Sequence, residues 1–139
     1  MKNKLIKKSP WVNIFNAGCN GCTLEIFAAM TPKYDLERFG ILWKPSPRHA
    51  DILLVSGMIN KHAAPRLKRI YEQMPNYKKV IAIGACSISG GIFRDSYNYV
   101  QVDNLIPVDM YIPGCPPRPE AIIDGILKLI GGKYEKTEN

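Results

Sequence analysis

The chain has 139 residues, 46% of them hydrophobic, and carries 19 Lys or Arg against 12 Asp or Glu, a formal net charge of +7. That size and composition suit a single compact domain with a buried core. No apolar run approaches the roughly 18 residues needed to cross a bilayer. No helix-turn-helix, RNP or zinc-finger pattern accompanies the positive charge, which argues against nucleic acid as a partner.

Residues 1–10 form a basic N-terminal segment with Lys2, Lys4, Lys7 and Lys8. It leads into Ser9-Pro10-Trp11 without an apolar stretch or a cleavage site, so it does not read as a secretory signal. It is too short to anchor the chain, and suits either a contact with a membrane surface or an arm without fixed structure. Trp11 to Asn16 reads as a strand. A helix through Leu24, Ile26, Phe27 and Met30 comes next and stops before Pro32. Phe39 to Trp43 reads as a short strand. Asp51 to Ser56 is a continuous apolar strand of the kind covered on both faces. A helix from about Ala63 to Met74 is broken by Pro75; its Arg66, Lys68 and Arg69 suit a solvated face. Lys79 to Gly84 is a second buried strand and Val108 to Ile112 a third. The last helix starts around Pro117–Glu120 and runs to Ile130, with Gly131-Gly132 as its stop. Alternation of strands and helices predicts an α/β fold, an open, mainly parallel sheet with helices on both faces. Residues 11–132 make the one domain and residues 133–139 a tail.

The four cysteines stand where these strands end and the backbone turns, in Gly18-Cys19-Asn20-Gly21-Cys22, Gly84-Ala85-Cys86 and Pro113-Gly114-Cys115-Pro116-Pro117. A structural cysteine more often sits inside an apolar run as a small hydrophobe. Without a secretory signal the thiols are expected in a reducing compartment, where metal or redox use is favoured over disulfides. In an open α/β sheet, ligands bind outside the carboxyl ends of the strands. Four thiols brought together there suit a Cys₄ iron–sulfur cluster. Three other readings fit some of these residues. A Cys-x-x-Cys at a helix start also makes a thioredoxin-like dithiol, which leaves Cys86 and Cys115 unused. A Cys₄ zinc site is built more often from two Cys-x-x-Cys knuckles, and here there is one. Four unrelated cysteines are the remaining alternative.

Four longer motifs stand in order: Gly18-Cys19-Asn20-Gly21-Cys22-Thr23-Leu24-Glu25; Ser46-Pro47-Arg48-His49-Ala50-Asp51 running on to Gly57; Gly84-Ala85-Cys86-Ser87-Ile88-Ser89-Gly90-Gly91-Ile92-Phe93; and Ile106-Pro107-Val108-Asp109 running through Pro113-Gly114-Cys115-Pro116-Pro117-Arg118-Pro119-Glu120-Ala121. Together they closely resemble the 20 kDa subunit family of respiratory complex I, related to the small subunit of [NiFe] hydrogenases. The resemblance runs from about Trp11 to Leu129. It implies a flavodoxin-like domain carrying one [4Fe–4S] cluster at the carboxyl ends of the strands, liganded by Cys19, Cys22, Cys86 and Cys115.

Complex I members typically have two adjacent cysteines at the first site. Here two residues separate Cys19 from Cys22, as in hydrogenase small subunits, and the extra C-terminal cysteines of the uptake hydrogenases are absent. The pattern looks most like the small subunit of a membrane-bound, energy-converting (group 4) [NiFe] hydrogenase, with ion-pumping sulfur- or quinone-reducing complexes as the alternative. The resemblance implies an electron relay inside an oxidoreductase complex, peripheral on the cytoplasmic face of a membrane. Its implied partners are a large catalytic subunit, a ferredoxin-like polycluster subunit and membrane ion-pumping subunits. Arg48, His49 and Ser87 are candidate tuners of the cluster, with Arg48 pairing with Asp51 as the structural alternative for Arg48. Glu25 is a candidate on a proton route at the large-subunit interface, against a plain helix-start carboxylate. His62 reads as a surface or helix-cap residue.

Overall fold

A computed structural model of the chain describes residues 9–131. The basic start of residues 1–10, save Ser9 and Pro10, and the tail 133–139 lie outside the described residues, as does the second glycine of the helix stop.

Five strands, β1 (Trp11–Asn16), β2 (Leu42–Trp43), β3 (Ile52–Ser56), β4 (Lys79–Ile83) and β5 (Met110–Ile112), form one sheet in the order β2-β1-β3-β4-β5. Every pairing is parallel. Among the described residues four α-helices connect or cover them: α1 (Gly21–Met30), α2 (Ala64–Gln73), α3 (Ala85–Ser89) and α4 (Pro119–Gly131). This is the flavodoxin-like order, with its switch point between β1 and β3.

The alternation of side chains along each strand divides the core in two. Val12, Ile52, Leu54, Ile81, Ile83 and Ile112 face α1 and α4, where Ile26, Ala29, Ile122 and Ile126 cover them. Leu53, Val55 and Val80 face the other way, onto Ala64 and Leu67 of α2 and the loop residues Ile59, Val102 and Ile106. Hence β3 carries no polar alternation: Ile52, Leu53, Leu54 and Val55 are all fully buried. Each such side chain contributes about 1.5–3 kcal/mol by leaving water.

Two edges differ from the expectation. Phe39 does not belong to the second strand. Leu36–Phe39 is a 3-10 turn ended by Gly40 at φ 81°, so only Leu42 and Trp43 pair, with Trp11 and Val12. Pro45 has no N–H to continue that ladder, and the Asn13 amide donates to the Lys44 carbonyl instead (2.7 Å). At the other edge β5 starts at Met110 rather than Val108. There the Asp109 carboxylate accepts the Val80 N–H (2.8 Å), taking a position a strand carbonyl would hold. The short helix α3 falls in what the sequence presents as a glycine-bounded loop.

Candidate functional site

All four cysteines are brought to one place. Cys19, Cys22, Cys86 and Cys115 line a cavity of about 130 Å³ together with Asn16, Gly57, Gly114 and Pro116. None is in a disulfide; Cys19 and Cys115 are exposed, Cys22 and Cys86 half-buried. The strands that deliver them are not all neighbours. β3 lies between β1 and β4, so the Cys19–Cys22 turn and the Cys86 helix start on opposite sides of it. The end of β3 leaves room for the cavity, because the residue it contributes to the wall is Gly57.

Each turn is fixed by identifiable contacts. The Asn16 side chain ends β1: its carbonyl oxygen accepts the Gly18 N–H (3.1 Å) and the Ser56 hydroxyl (3.3 Å), and its amide donates to the side chain of Asn20. Asn20, at φ 62°, then opens α1 and accepts the Leu24 N–H on its carbonyl (2.8 Å). The Cys86 and Cys115 turns are tied to each other. Gly84 N–H donates to Ile112 O, and Ala85 N–H to Gly114 O, both at 2.8 Å. The chain leaves this region through a cis Cys115–Pro116 bond.

Glycine at 84 is required twice over. Its φ of 88° and ψ of 158° lie in a region that side-chain-bearing residues avoid. A Cβ there would also come within 2.5 Å of Cys22 Sγ. The backbone at the end of β4 therefore touches the thiol delivered by β1. Asn16, Ser56 and Gly57 are site-building residues that sequence reasoning missed as such; the one signal for them is that polar and small residues end two buried strands.

The electrostatics agree with four sulfurs sharing one space. Burial, then the neighbouring Cys19, Cys86 and Cys115, and last Glu25, push the Cys22 thiol from 9.0 up to about 11. Burial, then Cys115 and Cys19, push Cys86 upward as well. Thiols whose charged forms are disfavoured by burial and by one another are donors that a bound cation stabilises. The four thiols line one cavity, a Cys₄ donor set of the kind that holds an iron–sulfur cluster.

The other candidates fall elsewhere. Ser87 is buried, and its hydroxyl donates to the carbonyls of Ile83 (2.7 Å) and Gly84 (3.1 Å). Its proton is thus directed at holding α3 to β4 rather than into the cavity. Arg48 and His49 lie on a 3-10 turn ahead of β3, and neither lines the cavity. The Arg48–Asp51 pair does not form. Asp51 accepts the Trp11 N–H (3.0 Å) and interacts with Tyr77 instead. Glu25 is half-buried on α1, close enough to Cys22 for its charge to be felt there. His62 is exposed, as a surface residue would be, and does not cap α2, whose N-cap Ala63 has no side-chain cap bond; in the turn before it the Asn60 side chain accepts the N–H groups of His62 and Ala63.

Large apolar side chains lie exposed beside the cavity-lining segments: Leu24 on α1, two residues after Cys22, and Ile92 and Phe93 after α3, at 68%, 89% and 41% exposure. Among the described residues no helix is long and apolar enough to cross a membrane.

Comparison with known proteins gives these features a lineage. The family model described as NADH ubiquinone oxidoreductase, 20 Kd subunit, matches residues 19–129. The probable membrane-bound hydrogenase subunit mbhJ of Pyrococcus furiosus is 54% identical, over 97% of this chain and 86% of that protein. An NADH-quinone oxidoreductase subunit of Citrifermentans bemidjiense is 50% identical, over 88% of this chain and 71% of its own. A chain in the structure of the membrane-bound sulfane sulfur reductase, an archaeal respiratory membrane complex, superposes with a TM-score of 0.82 at 48% identity, covering 94% of this chain and 73% of that one. These relatives are subunits of oxidoreductases, and the match spans all four cysteines. The chain belongs to the family of the 20 kDa subunit of NADH:ubiquinone oxidoreductase.

Proposed function

We propose that Cys19, Cys22, Cys86 and Cys115 hold one [4Fe–4S] cluster, and that this chain is the electron-transfer subunit beside the catalytic centre of a membrane-bound, ion-translocating [NiFe] hydrogenase. The observation that carries the reading is the convergence of cysteines from three strand ends on one 130 Å³ cavity. Bound there, such a cluster supplies one-electron transfer. The chain's own residues do the rest. Three separate turns, locked by Asn16, by the Ile112 and Gly114 carbonyls and by Gly84, hold the donor sulfurs at fixed positions. The sheet and α1 close the site from below, and the half-buried placement of Cys22 and Cys86 keeps water from one side of it.

The exposed Leu24, Ile92 and Phe93, which follow the cavity-lining segments of Cys22 and Cys86 in the chain, support a partner covering the open side. That partner is the large catalytic subunit, with a ferredoxin-like polycluster subunit and membrane ion pumps completing a complex at the cytoplasmic face. Cys-x-x-Cys spacing and the likeness to the Pyrococcus subunit favour nickel in the large subunit. The likeness to the sulfane sulfur reductase favours a second reading, a nickel-free sulfur- or quinone-reducing relative. Metal analysis of the anaerobically purified complex separates them. Iron with near-stoichiometric nickel is the expected result; iron without nickel selects the second reading.

A further inference from the structure

β1 runs on after its pairing with β2 has ended. That ladder sets Trp11 against Leu42 and Val12 against Trp43, and the Lys44 N–H donates to Val12 O (2.8 Å). From Asn13 to Asn16 the strand pairs only with β3, against Leu53 to Ser56. The Ala17 N–H donates to Ser56 O (3.2 Å), so odd-numbered residues of β1 turn their backbone groups to β3, and the Lys44 bond shows that even-numbered ones turn outward. Ile14 and Asn16 thus present N–H and C=O groups on the outer edge, and among the described residues nothing bonds to those backbone groups. A groove of about 510 Å³ lies along this edge, with Ile14, Asn16, Phe27, Trp43 and Pro45 in its wall.

Folded proteins blunt an open sheet edge with charge, proline or a bulge, or they cover it. Neither Ile14 nor Asn16 is charged, and the register of β1 runs without a bulge. Pro45 and Pro47, on the facing wall, have no N–H to offer, so the segment after β2 does not complete the ladder. Phe27 and Trp43 meet edge to face at 5.7 Å and 85°, and both rings stay exposed. The wall holds no charged residue; the amides of Asn13, Asn16 and Asn20 and the Thr23 hydroxyl are its polar side-chain groups. A row of backbone donors and acceptors beside an aromatic pair matches an extended peptide with apolar side chains at alternate positions. The chain's own ends do not have that character. Residues 1–8 include Lys2, Lys4, Lys7 and Lys8, and residues 133–139 include Lys133, Glu135, Lys136 and Glu138, charges that are costly to bury against an uncharged wall. Asn16 and Asn20 line both this groove and the cysteine cavity, and exposed Leu24 stands three residues before Phe27 on α1. The groove is therefore continuous with the open side of the cysteine site.

We propose that the outer edge of β1 at Ile14 and Asn16 receives an extended, uncharged segment of a neighbouring subunit, which adds to the sheet where β2 stops. The incoming backbone pairs with Ile14 and Asn16, and its apolar side chains pack on Phe27 and Trp43. Main-chain hydrogen bonds supply the affinity of such docking and the flanking side chains its specificity. The same segment passes Asn16, whose side chain accepts the Gly18 N–H and so fixes the turn that delivers Cys19. Docking at this edge braces the cysteine turn from outside and needs no particular cofactor in the cavity.

The test uses the intact complex purified through this chain. Residue-resolved hydrogen exchange is expected to show the Ile14 and Asn16 amides exchanging as slowly as those of Asn13 and Phe15, which the β1–β3 ladder holds. In a second sample p-benzoylphenylalanine replaces Trp43, and the photo-crosslinked peptides are sequenced by mass spectrometry. The expected crosslink is to one contiguous segment of another subunit, free of Asp, Glu, Lys and Arg where it crosses the groove. Fast exchange at Ile14 and Asn16 in the complex overturns the proposal. So do crosslinks that fall only within this chain, or on a charged segment of another. If the substituted chain does not assemble, exchange in the wild-type complex alone decides. Iron and acid-labile sulfide counted on the same sample keep the two readings apart: a fast-exchanging edge on an iron-loaded chain leaves the cluster reading standing.

Discussion

Gly84→Ala tests how the cavity is built. The substitution puts a side chain at φ 88°, ψ 158°, a backbone cost of about 1–3 kcal/mol. The new methyl also meets Cys22 Sγ at 2.5 Å, while its next neighbour, the Gly114 carbonyl oxygen, is at an ordinary 3.5 Å. Two responses are open. If Cys22 stays, overpacking adds about 1–3 kcal/mol, and the total of about 2–6 kcal/mol is a large part of the ~5–15 kcal/mol typical of a domain. If Cys22 turns its thiol away, the second cost is relieved but the cavity loses a donor. Stability loss and donor loss thus trade against each other, and the variant cannot avoid both. Urea denaturation of the metal-free chain and an iron count on the reconstituted protein read the two arms. Gly131→Ala is the control, since nothing lies within 4 Å of a Cβ there. A Gly84→Ala chain that is as stable as wild type and also takes up full iron refutes the reasoning.

Leu54→Ala in the fully buried β3 is expected to cost about 2–5 kcal/mol, read by the same denaturation; a loss under ~1 kcal/mol would show that the α1/α4 layer collapses into the gap. Asp51→Ala leaves the Trp11 N–H without its 3.0 Å acceptor and is expected to cost about 1–3 kcal/mol, whereas Arg48→Ala, which does not disturb that bond, is expected to be silent. The metal-free chain should lose stability as pH rises from 9.0 to about 11. The Cys22 proton is held more tightly folded than unfolded, so the unfolded chain releases it first; Cys22→Ser should remove that component of the pH profile. Glu25→Gln is expected to keep the cluster spectrum and slow proton-coupled turnover of the complex, and unchanged turnover would remove Glu25 from any proton route.

Much of this architecture is readable from residue order, for physical reasons that differ by element. β3 and β4 are legible because strands buried on both faces read as unbroken apolar runs, and β1 because its Trp11, Val12, Ile14 and Phe15 still mark a strand around Asn13. The cysteine turns are legible because glycine and proline punctuate them. β2 reads too long because Phe39 and Ile41 look like strand residues, while the local chain prefers a 3-10 turn closed by Gly40. α3 is hidden because five residues between two positive-φ glycines carry too short a pattern to show a helical period. Ser87 reads as a donor to the site, but in a helix a serine can return its proton to a carbonyl four residues back, and here it does. The open edge of β1 has no local signal at all. It depends on which strand pairs with β1 and for how many residues, which spacing along the chain does not encode.

The most direct test of the central claim is the iron and acid-labile sulfide content of this chain, purified without oxygen, beside its four single Cys→Ala variants. Four irons and four sulfides per wild-type chain, falling sharply in each of Cys19→Ala, Cys22→Ala, Cys86→Ala and Cys115→Ala, is the predicted result. Zinc without sulfide, or iron retained when any one of the four is removed, would contradict it.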